Sequence, residues 1–465
     1  MTYRFNKAGV FSTFLGCLSL SCGDHTPAHK ESAEHKETKV PDSDQLSFSL
    51  ENASALAAVD CSTLKISKSK ELFITNLSVV NDTRPAWKFK TLISNMIPLD
   101  TVQTTVSNVQ IDAFLRNWLG KWQTNQQVNG FNAAARTRIQ EIINAWPKIP
   151  NTQLLDADKA PMRLLSIVYR PDLKGPNKAG EGRFVFGVLD NSGNPLQFTV
   201  IFEYNLPIIK GTDGVLRDSA WWAGEWHKLA NSALGSGAYK TQLTSITNQF
   251  TRRNAFPGKP VGNALSQLRT NEIALSGPWE LREFTLAASG LVQATVKQNP
   301  DLSFNSKGVA QDHLKAWMVQ NKAKLVANTF VIPNSLPVIG TTFTSPRPIL
   351  GASAPVPSIP FNWLSNATAP VGPTAAEWNT MKTNLSNATC SGCHTINGQF
   401  FLHLNPRSAG AEAIKSSFTE SDLVPRAKLM AKDLGCSALP NSGVLNLHSG
   451  SELESLEVER SFRVH

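Results

Sequence analysis

Two apolar runs, residues 183–190 and 197–205, flank the cluster Asn191-Ser192-Gly193-Asn194-Pro195. A short turn-forming cluster between two strand-like runs is the signature of a hairpin. This pair constrains the fold more than any other stretch, because strands joined so closely must run antiparallel. A third strand-like run, 163–170, precedes the pair. A second hairpin spans 279–287 and 291–297, turning at Ala288-Ser289-Gly290. Helical spacing appears in separate stretches: Ile111, Phe114, Leu115 and Leu119 within 109–122, and Ala135, Ile139, Ile142 and Ile143 within 131–146. Further helices are expected over 218–233, 239–253 and 309–327, and a strand over 71–80. Strands grouped apart from helices predict an α+β domain over 46–330, an antiparallel sheet with packed helices, and not a doubly wound sheet.

The chain has 465 residues, 41% hydrophobic and 17% charged, which is globular and enough for two or three domains. The net charge of +9 is scattered. With no basic stripe interleaved with aromatics, nucleic acid is not an expected partner. Charges do fall inside or beside the strand runs: Arg170, Asp172, Glu181, Arg183, Glu203, Arg269, Glu272, Glu280, Arg282 and Glu283. Buried charges survive when paired, so these read first as a structural ion-pair network. A hydrolytic or carbohydrate-binding site using Glu203 or the Arg269–Glu272 region is the weaker alternative. Glu225 and His227 are two apart on a helix and diverge. There is no His-Glu-x-x-His, Gly-x-Ser-x-Gly or phosphate loop. His313 lies in an amphipathic pattern and reads as a surface or core residue.

Residues 1–22 carry Arg4 and Lys7 ahead of a short apolar run, the pattern of a secretory signal too short to span a bilayer comfortably. Within Leu18-Ser19-Leu20-Ser21-Cys22-Gly23, small residues precede a cysteine as at a lipoprotein cleavage site, although Ser19 stands where Leu is usual. Cys22 is the expected acylation site, Cys17 a poorer rival, and a plain cleaved signal the alternative. Several acyl chains on one cysteine anchor a protein stably, so the expected partner is a membrane, reached through the N-terminal lipid. Residues 23–45 have almost no apolar side chains and read as a flexible tether, with His25, His29 and His35 solvated.

Nine of the 27 prolines fall in residues 331–373, a linker or a strap over the body. Thr374-Ala375-Ala376-Glu377 then forms a capping box, opening a helix with Trp378, Met381 and Leu385 on one face. This helix leads to Cys390-Ser391-Gly392-Cys393-His394, the spacing of a c-type haem attachment site. Cys390 and Cys393 can each form a thioether to a haem vinyl group, and His394 then reaches the iron as proximal ligand. A thioredoxin-type Cys-x-x-Cys should instead follow a strand. A helix entering such a site is similar to small cytochromes c, and that resemblance implies one covalent haem c in a mainly helical module over 374–465. Candidates for the second axial ligand are Met430, inside the helix-like stretch 424–434, and His403, with His448 more distant and a five-coordinate iron also open. The rival readings are a structural disulfide, or a zinc site from Cys390, Cys393, His394 or His403 and Cys436, whose spacing is irregular. Four cysteines remain after the signal. Either haem takes Cys390 and Cys393 while Cys61 pairs with Cys436, or all four form disulfides.

The runs Arg163-Leu-Leu-Ser-Ile-Val-Tyr-Arg-Pro-Asp-Leu173, Glu181-Gly-Arg-Phe-Val-Phe-Gly-Val-Leu-Asp190, Leu268-Arg-Thr-Asn-Glu272 and Trp279-Glu-Leu-Arg-Glu-Phe284 resemble those of large predicted lipoproteins met in myxobacteria and similar Gram-negative bacteria. The likeness extends to residues 390–394 and to Phe401-Leu-His-Leu-Asn-Pro-Arg407. It implies an outer-membrane lipoprotein of the cell envelope and carries no chemistry. The expected function is one-electron transfer with a redox partner protein. The alternatives are a disulfide-stapled envelope scaffold that presents its charged strands to a partner, and, weakest, a hydrolase.

Overall fold

The computed structural model describes residues 59–99, 103–128, 131–211, 213–277, 279–296, 304, 307–330, 332–333, 335–336, 347–348, 368–390, 402–437 and 444–445. The signal with Cys17 and Cys22, the tether, most of the proline-rich strap, Cys393, His394 and His448 lie outside the described residues.

The centre is a seven-stranded antiparallel sheet whose strands follow chain order: β1 (Phe73–Ile74), β2 (Met162–Arg170), β3 (Lys178–Leu189), β4 (Pro195–Pro207), β5 (Leu265–Glu272), β6 (Glu280–Ala287) and β7 (Gly290–Ala294). Each strand pairs with the one before it. The β3–β4 hairpin turns where the sequence places it. The Asp190 carboxylate accepts from the amides of Ser192 and Asn194 at 2.9 and 2.8 Å, and Gly193 takes the positive φ of 80° that the turn requires.

Helices enter at two connections. Between β1 and β2 lie α1 (Phe89–Ser94), α2 (Asn108–Leu119) and α3 (Ile139–Ala145); between β4 and β5 lie α4 (Ser219–His227) and α5 (Gly237–Thr251). Side-chain caps start three of them: a Ser107–Gln110 capping box on α2, Asp218 on α4 and Ser236 on α5. Their apolar faces meet one face of the sheet. Phe184, Phe186, Phe198, Phe202, Tyr204 and Phe284 alternate along β3, β4 and β6 and pack against Phe89, Trp118, Trp122 and Phe250. The Phe89 ring stands edge-on to Phe186 and Phe202 with centroids 5.8 Å apart in both pairs.

Three local expectations change. Phe131–Ala133 is a strand paired with Gln126–Val128, so the helix begins only at Ile139. Of 71–80 only Phe73–Ile74 is strand; Lys68–Leu72 is a π-helical turn, and Asn76 caps the single helical turn Leu77–Val80. Strand β5 had no counterpart in the sequence reading.

The C-terminal third is divided between two cores. Helices α6 (Val309–Gln320), α7 (Lys322–Val326) and α8 (Ala375–Asn387) form a small one through Leu314, Trp317, Met318, Leu325, Trp378, Met381 and Leu385. Helix α9 (Ser417–Asp433) instead joins the main core through Leu423, Ala427, Met430 and Ala431. The Cys61–Cys436 disulfide and a two-residue parallel pairing of Ile66–Ser67 with Val444–Leu445 fix it there. Helices α8 and α9 therefore contribute to different cores. No described helix is long and apolar enough to cross a membrane.

Candidate functional site

Alternation along the strands turns every second residue away from the aromatic core, and on that face register lines up charge. Arg183 of β3 faces Glu203 of β4, and Arg269 of β5 faces Glu283 of β6. Arg183 lies 3.2 Å from Glu203 and 2.8 Å from Glu181. Arg269 lies 3.3 Å from Glu283 and 3.8 Å from Glu203. Gln267 donates to the second oxygen of Glu203 at 2.6 Å, and Lys178 ends the row on Glu181 at 2.8 Å. Burial works against the Glu181 carboxylate, but Arg183 and Lys178 outweigh it and hold it down at about 2. A second group sits at the end of β2. Arg170 holds Asp172, and Arg426 of α9 reaches Asp172 at 3.6 Å and pairs with Asp422. Each cation in these groups has a carboxylate partner, which is what lets them stay buried.

Between this row and the C-terminal segment lies a cavity of about 90 Å³, widening to about 730 Å³ when its open side is counted. Arg183, Glu203 and Arg269 form its sheet wall, with Phe73, Val168 and Leu281 as apolar parts; Thr419 and Arg426 come from α9, and Cys390 and His403 from the chain before it. Cys390 follows α8, keeps a free thiol, is 1% exposed and packs against Trp279, Leu281 and Val296. Burial pushes this thiol up to about 12; Arg269 opposes the shift, and Glu283 and Glu203 add to it. It is protonated and inert at neutral pH. His403 is half-buried, with Nδ1 3.2 Å from Ser416 Oγ and its ring tilted on Phe418 at 5.1 Å between centroids.

The remaining candidates are dispersed. Cys61 and Cys436, 375 residues apart, are joined with a Cα–Cα distance of 5.4 Å, which removes Cys436 from any zinc set. Met430 is fully buried in the main core and does not line the cavity. Glu272, Glu280 and Arg282 lie on the opposite, aromatic face. There Arg136 bridges Glu272 and Glu280 at 2.8 and 2.9 Å, and Arg282 stacks 5.1 Å over Trp122. Arg269 and Glu272 are three apart in one strand, so they point to opposite faces and form no joint site. Burial raises Glu272 to about 7, with Arg136 opposing. His227 is held 2.7 Å from the buried Glu71, while Glu225 pairs with Lys228 and Gln242. His313 is buried in α6. Among the described residues no three metal-binding side chains cluster.

Arg136, Ser416, Thr419, Asp422 and Arg426 were missed in the sequence. Arg426 left a trace: it falls on the same helical face as Leu423, Ala427 and Met430, where a cation needs a buried partner. No protein-family model, curated protein or solved structure matches the chain.

Proposed function

We propose that the protein is an exported, lipid-anchored carrier of one covalent c-type haem, passing single electrons at the cell envelope through iron ligated by His394. One observation carries this reading. Cys390 presents a free, buried thiol at a cavity that His403 also lines, while the other two described cysteines are joined to each other. This supports the scheme in which Cys61 pairs with Cys436 and leaves Cys390 and Cys393 for thioethers. The enclosed part of the cavity has about the volume of three waters and takes no macrocycle. A macrocycle would therefore have to lie outside the enclosed part, on the side open to solvent.

The haem supplies the electron chemistry, and the chain supplies attachment, burial and ligation. Cys390 and Cys393 would hold the group through thioethers, and His394 would bind its iron. Attachment has to precede closure of the fold, because a thiol 1% exposed cannot be reached afterwards. The ion-pair row stays a structural wall. Glu203 is 0% exposed, with one oxygen at Arg183 and the other held by Gln267. The test is intact mass and visible spectrum of the full chain, exported in a host with cytochrome c maturation. Haem adds about 616 Da, and Cys390→Ala/Cys393→Ala abolishes both the added mass and the Soret band. A colourless wild-type protein of apo mass refutes the proposal.

A further inference from the structure

We infer that the enclosed part of the cavity is a binding site for a small uncharged amide, whose carbonyl oxygen accepts from Arg426 and whose N–H donates to Glu203. The inference goes beyond the haem reading and does not rest on it, since the enclosed part takes no macrocycle. It starts from hydrogen-bonding capacity that the fold leaves unused. Arg426, 4% exposed, spends Nη2 on Asp422. Its Nε stands 3.6 Å from Asp172 Oδ1 and has no hydrogen-bond partner among the described residues. Glu203, 0% exposed, takes the Gln267 amide on Oε2. Its Oε1 faces Arg183 at 3.2 Å and Arg269 at 3.8 Å and accepts a hydrogen bond from neither. A buried donor or acceptor left unmade is costly, and each such group calls for a physical reason. Here a donor and an acceptor on opposite walls of one cavity ask for an occupant that satisfies both.

Charge decides the kind of occupant. In the row, Lys178, Arg183 and Arg269 stand against Glu181, Glu203 and Glu283; in the second group, Arg170 and Arg426 stand against Asp172 and Asp422. Both groups are neutral. A carboxylate or phosphate brought inside would add an unbalanced charge at low dielectric, which is unfavourable. Burial pushes the Arg426 guanidinium down, and the nearby Arg170 adds to this while Asp422 and Asp172 oppose it. A guanidinium so placed favours the negative end of a dipole. An amide carbonyl is that dipole without net charge, and the amide N–H supplies what Glu203 lacks. Size and lining agree. About 90 Å³ suits a molecule no larger than acetamide. Phe73, Val168, Val185, Ile201 and Leu404 offer apolar wall to its methyl group, in the usual manner of a mostly apolar site with a few placed polar groups.

The experiment follows acetamide binding to the full-length chain by ligand-observed NMR. Haem content is fixed beforehand by intact mass, so the haem reading and this one are judged separately. Acetamide is expected to bind saturably with a millimolar Kd, as suits so few atoms. Acetate, its charged isostere, is expected to bind at least about tenfold more weakly. Acetone, which lacks the N–H, should also lose about tenfold, the worth of one hydrogen bond to a charged group. Arg426→Lys keeps the charge opposite Asp422 and Asp172 but removes the Nε–H. Val185→Phe fills the enclosed space and touches no charge. Each is expected to weaken acetamide about tenfold or more, with an unchanged urea midpoint showing that the fold holds. No saturable binding of acetamide, which leaves ordered water as the occupant, overturns the proposal. So does acetate binding as tightly as acetamide, or a folded Val185→Phe with wild-type affinity, which places the bound amide elsewhere. Acetone equal to acetamide overturns the role of Glu203, and a folded Arg426→Lys with wild-type affinity overturns that of Arg426.

Discussion

Removing the Cys61–Cys436 bond tests how the two ends of this chain are held. The bond closes a loop of 375 residues. Constraining the unfolded chain over such a loop removes roughly 20 cal/mol/K of entropy, or about 6 kcal/mol at 25 °C on the chain-entropy model. Natural disulfides in small secreted domains contribute about 2–5 kcal/mol, so a loss of about 3–6 kcal/mol is expected here. That is a large part of the 5–15 kcal/mol typical of a folded protein. Alanine is the right replacement, because Cys436 is 2% exposed in the main core and a serine hydroxyl would be buried there without a designed partner. Urea unfolding of Cys61→Ala/Cys436→Ala against the oxidised wild type, followed by tryptophan fluorescence, gives the difference. The early-unfolding segment is expected to include α9, which the bond anchors at its C-terminal end. A loss below about 1 kcal/mol, with the wild-type bond shown intact, would refute the reasoning. It would mean that the ends do not separate in the measured transition.

Two further outcomes follow from the charged faces of the sheet. Glu203→Ala strips Arg183 and Arg269 of a shared buried partner and is expected to cost about 3–5 kcal/mol in urea unfolding, whereas Asp158→Ala at the exposed Lys90 pair costs under about 1 kcal/mol; equal effects would sink the argument. Glu272, raised to about 7 in the fold, binds a proton that the unfolded chain releases near 4.5, so wild-type stability contains a part that is present below pH 4.5 and lost as pH climbs through 7. Glu272→Gln removes that part, about 3 kcal/mol, and the wild-type-minus-variant stability should fall between pH 4.5 and 7.5; a flat difference counts against it.

The hairpin 183–205 was legible because its turn chemistry and both apolar runs are local. So were α4, α5 and α8, where a side-chain cap agrees with the apolar spacing, and α6 by its spacing alone. Strand β5 was not legible. One of its faces carries Gln267, Arg269 and Asn271 and the other Leu268, Thr270 and Glu272, so its burial on both sides is written in polar residues that only neighbouring strands explain. Residues 131–146 misled because apolar spacing alone cannot register that Phe131–Ala133 pairs with Gln126–Val128. The charged residues of the site were legible as a list, yet their division between two faces depends on register. Arg269 pairs across β4 and β6 with Glu203 and Glu283, whereas Glu272 meets Arg136, which comes from a loop in another part of the chain. That α9 belongs to the main core was hidden for the same reason. Its helix pattern says that it has an apolar face and nothing about what covers that face.

The ion-pair row and the haem reading meet in one physical argument. A c-type site needs a place where a thioether and an imidazole face a shaped, water-poor wall, and a wall of buried charges is stiff only if every charge is compensated within it. The row does this strand by strand: Lys178 on Glu181, Arg183 between Glu181 and Glu203, Arg269 between Glu203 and Glu283. Such a wall resists an uncompensated change of charge beside it. Its three cations and three carboxylates leave the row neutral as a whole.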